Sequence, residues 1–142
     1  MALLFDTDAI SELLRPLPNP AYLQWVRTLP REDQFTSAIC LAELFKGAFR
    51  STARRRHVRN IEERVIPAVT ILSFDQATAP VFGQICARLE REGLRLPDAD
   101  IQIAATAVYH GLELVTGNVR HFERIPELRL NPILAEARGS GP

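Results

Sequence analysis

The sequence predicts an α/β fold in which a central parallel β-sheet is flanked by helices on both faces. Three observations carry that expectation. Short apolar or β-branched runs alternate with longer helical stretches along most of the chain, the pattern of parallel strands joined by crossover helices. A length of 142 residues suits one domain with one core, and a hydrophobic fraction of 46% is enough to pack it. No internal repeat or linker interrupts the chain, so residues 1–134 are expected to form a single domain.

Taken in order, residues 2–6 (ALLFD) form a short apolar run ending in a carboxylate, which suits a buried strand. Thr7 or Asp8 then caps a helix through Leu14 that Pro16 stops. After the PLPNP turn, residues 20–29 read as a helix with Tyr22, Trp25, Val26 and Leu29 on one face. Residues 34–39 (QFTSAI) are the second strand, followed by a helix through about Arg50. The stretch 52–66 is polar and helical, and 69–74 (VTILSF) is a β-branched strand. Residues 76–92 form a helix closed by Gly93, and 98–110 another closed by Gly111 just past its C-terminus. Residues 112–116 (LELVT) are a strand, with a last one at 128–133. The tail 135–142, ending ARGSGP, is expected to be disordered.

Composition narrows the class. No apolar run approaches the ~18–20 residues of a membrane span. The N-terminus has neither the basic segment nor the small-residue cleavage site of a signal peptide, so a cytoplasmic location is expected. Cys40 and Cys86 lie in apolar helical surroundings without metal-ligand spacing and read as small hydrophobes. Seventeen basic and 17 acidic residues cancel, which argues against coating nucleic acid by bulk charge. The charge is uneven, however. Arg50, Arg54, Arg55, Arg56, Arg59 and Arg64 face only Glu62 and Glu63 over one helical stretch. That run is either a solvated face or a surface that holds a phosphate backbone.

Four islands place a carboxylate, or a polar group in its stead, at the edge of an apolar element: LLFDTDAISELL, LAELFKGA, LPDADIQIAATA and LVTGNVRHF. Burying an unpaired carboxylate costs several kcal/mol, so a fold that gathers such groups pairs them or supplies a cation. Hard oxygen donors without a thiol or paired-histidine motif point to Mg²⁺ or Mn²⁺ rather than zinc, and such sites commonly perform phosphoryl chemistry. Asp6 emerges from the first strand; with Thr7 and Asp8 placed to cap, it is left as a ligand candidate. Glu43 shares a helical stripe with Ile39 and Gly47, and a glycine there suggests close packing. A pairing with Lys46 or a nearby arginine is the alternative for Glu43. Asp98 and Asp100 point about 200° apart on a helix. Asp98, after Pro97, suits the N-cap; Asp100 stacks over Ile103, Ala104 and Ala107 and points inward. Thr116 and Asn118 suit a turn, and His121 is a surface residue, a proton carrier or a substitute for a carboxylate ligand. Sites in open parallel sheets form beyond the carboxyl ends of strands, so Asp6 and Thr116-Gly117-Asn118 share a crevice if their strands are neighbours.

With these islands in view, the chain resembles PIN-domain proteins of the VapC type, the toxin half of VapBC toxin–antitoxin pairs. The resemblance runs from LLFDTDAISELL to HFERIPELRL, and LPDADIQIAATAVYHGLELVTGNVRHFERIP is its most specific part. It implies a PIN-like fold, a parallel sheet sandwiched by helices, and Mg²⁺- or Mn²⁺-dependent endoribonuclease action on structured RNA. The family's acidic positions fall on Asp6, Glu43 and Asp100, and its Thr-x-Asn motif on Thr116 and Asn118. His121 stands where many members carry an acid, which removes one carboxylate from a second metal position unless Asp98 leans in. The resemblance also implies a homodimer and a cognate VapB-type antitoxin lying over the active-site groove. Tyr22, Trp25 and Leu29 with Phe45 and Phe49 are the expected apolar patch for one of these contacts. A rival reading is a PIN module that has lost activity and acts by binding RNA or protein. A small phosphatase or flap-type DNA nuclease would use similar carboxylates, but the chain has no insertion to clamp a DNA flap.

Overall fold

Leu3, Leu4 and Phe5 form the first strand, β1 (Leu3–Phe5), and all three are buried because the sheet is covered on both sides. The computed structural model describes residues 1–139. Its sheet adds β2 (Gln34–Ser37), β3 (Thr70–Leu72), β4 (Glu113–Val115) and β5 (Leu130–Asn131). The order is β3-β2-β1-β4-β5 and every pairing is parallel. Leu3, Leu4 and Phe5 stand in register with Glu113, Leu114 and Val115, so β1 and β4 are neighbours. From β1 the chain winds one way through β2 and β3, and β4 and β5 extend the sheet the other way. The β1–β4 seam is therefore the place where such a sheet opens a crevice at its carboxyl edge.

Strand alternation distributes the core between two faces. Leu4 and Leu114 point to one side, where α5 (Ala79–Arg91) and α6 (Asp98–His110) cover them through Ile85, Leu89, Ile101 and Ala105. Leu3, Phe5 and Val115 point to the other. That face is covered by α1 (Thr7–Leu14), α2 (Pro20–Arg27), α3 (Ala38–Arg50) and the segment after α4 (Arg54–Asn60). A π-wound turn at Ile61–Val65 follows α4 and seats Ile61 and Val65 in the core. Helix α6 ends at Gly111, whose φ of 67° is the left-handed cap that glycine adopts freely.

Three expectations change here. The C-terminal stretch is not a disordered tail over 135–139. Ile133–Gly139 forms α8, anchored by the fully buried Leu134; positions 140–142 lie outside the described residues. Tyr22 is core rather than patch: it is fully buried and its hydroxyl donates to the Ala9 carbonyl at 2.7 Å. Trp25 and Leu29 are half-buried beside it, leaving Phe49, 53% exposed and stacked on Phe45, as the apolar surface of α3. Gly47 is exposed, and a Cβ there would meet nothing within 4 Å, so close packing does not explain it. A short α7 (Val119–Phe122) follows the Thr116–Asn118 turn and buries Phe122.

Candidate active site

Asp6 sits one residue beyond β1, with its N–H on the Val115 carbonyl at 3.1 Å, which ties it to the β4 edge. Only 6% of it is exposed. Asp6, not Thr7 or Asp8, caps α1: its Oδ1 accepts from the Ala9 N–H at 2.8 Å. Capping with one oxygen leaves the rest of the carboxylate facing the crevice. Burial pushes its pKa up from 3.8 to about 6. Hydrogen bonds from the fully buried Thr116 and from Ala9 oppose that rise, while the charges of Asp8 and Asp100 add to it. Two acidic neighbours around a desolvated carboxylate are a local excess of negative charge.

Asp100, in the first turn of α6, faces the same crevice, and its Oδ2 lies 2.7 Å from Nε2 of His121 on α7. His121 thus lies at the same crevice as Asp100, and its neighbour Phe122 fixes α7 in the core. Thr116 and Asn118 sit in the turn between β4 and α7, where the Asn118 N–H donates to the Thr116 hydroxyl at 3.0 Å. Asp98 does not join them. The helix starts at Asp98 itself, with the Pro97 carbonyl accepting from Asp100 and Ile101, and Asp98 makes no cap bond. It is exposed on a different cavity, beside Cys86 and Glu90.

Glu43, half-buried on α3, accepts from the Thr7 hydroxyl at 2.5 Å, which brings it beside the start of α1. It borders a groove of about 340 Å³ between α1, α3 and α4 with Thr7, Ser11, Leu44, Gly47 and His57. Among the described residues, no three Asp, Glu, His or Cys side chains converge into a ready metal cage. The donor set nonetheless fits a hard cation. Asp6 and Asp100 supply two oxygens at one crevice, Asp6 is desolvated among like charges, and Mg²⁺ commonly takes one or two carboxylates and completes its shell with water and substrate oxygens.

Sequence reasoning missed Glu12 and Arg138. Glu12 is 1% exposed on α1. Arg138 on α8 reaches back to it at 2.8 and 3.1 Å and to both oxygens of Asp8 at 2.7 and 3.1 Å. Burial alone would raise the Glu12 pKa, but Arg138, the Asn19 N–H and Arg15 hold it below the usual carboxylate value. The network also touches the Thr116–Asn118 turn. A Cβ on Gly117 would lie 2.2 Å from Nη1 of Arg138 and 2.4 Å from Oδ2 of Asp8. A side chain at 117 would push those two side-chain ends aside, so glycine lets the turn lie against the ion pair undisturbed. The only signal in the sequence was the i,i+4 spacing of Asp8 and Glu12 on one helical face.

The arginine run divides between two surfaces. Arg54, Arg55 and Arg59 line a shallow cavity together with Phe49, Glu62 and Glu63. Arg56 faces the opposite way, toward α1 and α2. Arg50, Arg54, Arg55, Arg56 and Arg59 are all exposed, and among the described residues none of them forms an ion pair.

Comparison with known proteins places this architecture. Residues 3–128 match the PIN domain family. Toxin FitB of Neisseria gonorrhoeae is 36% identical over 135 residues, covering 92% of this chain and 97% of FitB. VapC ribonuclease Y4jK of Sinorhizobium fredii is 33% identical over 135 residues, 92% of this chain and 96% of its own. The crystal structure of FitAcB from Neisseria gonorrhoeae superposes with a TM-score of 0.84 at 33% identity, over 92% of this chain and 98% of the matched one. With its parallel sheet and its acidic β1–β4 crevice, the chain belongs to the PIN-domain family and, within it, to the VapC group.

Proposed function

We propose that this protein is the toxin of a type II toxin–antitoxin pair and acts as a divalent-metal-dependent endoribonuclease. The observation that carries this reading is Asp6, a desolvated carboxylate held beside Asp100 and Thr116 at the carboxyl edge of the β1–β4 seam. Asp6 and Asp100 are the residues that would hold Mg²⁺ or Mn²⁺, with Glu43 acting directly or through water. When bound, the ion supplies charge stabilisation on phosphoryl oxygens and lowers the pKa of a water for in-line attack on an RNA phosphodiester. The protein's own part is orientation. Thr116 donates to Asp6 and fixes its carboxylate, His121 does the same for Asp100, and Thr7 holds Glu43 at the groove rim. Basic α4 borders that groove through His57, which suits an RNA strand entering between Glu43 and the arginines.

The relatives support both halves of the proposal, one being called a toxin and the other a VapC ribonuclease. The groove and the exposed Phe49 give an antitoxin and a second copy of the chain surfaces to cover, so a VapB-type antitoxin and a homodimer complete the reading. The test is cleavage of purified RNA and DNA with Mn²⁺, with Mg²⁺ and with chelator. Metal-dependent RNA cleavage that disappears in Asp100→Asn and Asp6→Asn is expected. RNA binding without cleavage at any metal concentration would replace the enzyme with a binding module, and DNA cleavage alone would make it a DNA nuclease.

A further inference from the structure

Next to the Glu43 groove lies a second cavity whose charge no part of the proposed chemistry uses. It is lined by Arg15 just past α1, Arg27 of α2, Arg56 and His57 of α4 and Arg64 of the π turn, and among the described residues no carboxylate lines it. The two cavities share Leu14, Arg15, Pro16 and His57 as a common wall. Arg15 is tied to Glu12 at 3.3 Å, and Arg64 gives one N–H to the Leu13 carbonyl at 3.1 Å. Among the described residues, Arg27, Arg56 and Arg64 form no ion pair. With Arg15 paired to Glu12, the three guanidiniums of Arg27, Arg56 and Arg64 share one cavity and repel one another, and an anion is the natural remedy.

We infer that this cavity is a phosphate-backbone site for single-stranded RNA. It would hold the strand one or more nucleotides away from the phosphodiester placed at Asp6 and Asp100. The shared wall sets the path. A strand leaving the Glu43 rim crosses Arg15 and His57 and enters among Arg27, Arg56 and Arg64. The guanidinium forks match phosphate oxygens in pairs, and they carry no base preference, so the site adds affinity and register rather than sequence choice. An acidic protein segment is the other anion that fits such charge; guanidiniums spaced around one cavity beside the Glu43 groove favour a continuous phosphate chain.

This inference rests on the RNA reading of the active site, and the test separates the two. Binding of a fluorescent single-stranded RNA oligonucleotide is measured against salt concentration in the cleavage-impaired Asp100→Asn background, with Arg27→Gln, Arg64→Gln and the pair. Each lost phosphate contact should flatten the slope of log affinity on log salt by roughly 0.7. Arg27 is exposed and, among the described residues, its side chain forms no ion pair, so that variant alone decides the matter should the pair not fold. An unchanged RNA slope in Arg27→Gln and Arg64→Gln overturns the site even if the wild-type chain cleaves RNA. A flattened slope upholds it even if no cleavage is found. A parallel titration with a polyglutamate peptide covers the alternative: loss of peptide binding with RNA binding intact assigns the cavity to an acidic protein segment and overturns the RNA site.

Discussion

A carboxylate with a pKa of about 6 inside the fold and 3.8 outside it makes the metal-free protein less stable as it ionises. The folded state binds the proton more tightly, so the neutral acid's contribution is complete below about pH 4 and is lost as pH rises through about 6. The difference corresponds to about 3 kcal/mol. Asparagine keeps the cap on Ala9 but has no charge to desolvate. Asp6→Asn should therefore raise metal-free stability by up to about 3 kcal/mol at pH 8 and by almost nothing at pH 4. Denaturant melts at the two pH values measure this; an equal gain at both would show that the effect is not ionisation. His121 gives the opposite case. Its ring lies on Asp100, so His121→Asp places a further carboxylate at an already acidic crevice. Without metal the melting temperature should fall by roughly 2–4 °C, the shift produced by about 1 kcal/mol in a domain of this size. With saturating Mn²⁺ it should rise more than in the wild type, and calorimetry should show tighter Mn²⁺ binding. Weaker binding would mean that His121 is needed as the hydrogen-bond partner of Asp100. Asp6 and Asp100 were legible in the sequence because each adjoins a run too apolar to face water. The cap role of Asp6 was not, because three consecutive polar residues offered the same oxygen chemistry and only backbone geometry chose among them.

At the scale of elements, the helices and strands with strong periodicity fell where residue pattern put them, and the departures have a common cause in long-range contacts. The last helix was invisible because ARGSGP has the composition of a tail, whereas Leu134 and Arg138 find their partners near residues 3–19. Asp98 after Pro97 looked like a cap, but the Pro97 carbonyl already accepts the first helical bonds and moves Asp98 inside the first turn. Arg138 supplies the testable consequence. It joins α8 to α1, neutralises the buried Glu12 and lies under Gly117. Arg138→Gln should cost about 1.5–3 kcal/mol, the range for hydrogen bonds to a charged group. Arg138 and Asp8 are partly exposed, which places the loss toward the low end. Because Glu12 is held below its usual pKa, this stabilisation is present above the ordinary carboxylate range and is lost as pH falls through the folded value. Urea unfolding of wild type and variant at neutral pH and in acid should therefore converge in acid. A constant gap would leave the loss to packing of the arginine stem alone.

For the whole molecule, the parallel sheet was readable from alternation alone, since apolar strands separated by helices allow few other layers, whereas the crevice depended on β1 and β4 being neighbours. Strand order was not, because nothing in LELVT says that it pairs with LLF; the shared burial of Leu4 and Leu114 against α6 decides it. Charge shows the same limit. Zero net charge hides an acidic crevice beside a basic flank, and the arginine run, linear in sequence, divides between two faces when α4 is wound. That division predicts unequal effects along one helix. Arg56 lies among arginines and a histidine, so Arg56→Glu places a negative charge on the proposed RNA path. Arg59 shares its surface with Glu62 and Glu63, which already weaken any phosphate there. Arg56→Glu should reduce RNA affinity and flatten its salt dependence by roughly 0.7–0.9 per lost phosphate contact, whereas Arg59→Glu should change the slope by less than half of that. Both should leave Mn²⁺ affinity unchanged, since neither borders Asp6 or Asp100. Salt titrations of RNA binding with single reversals along α4 make the comparison. Equal slopes for the two variants would mean that RNA follows the whole helix rather than its inner face, and no change in either would return α4 to solvent or to the antitoxin.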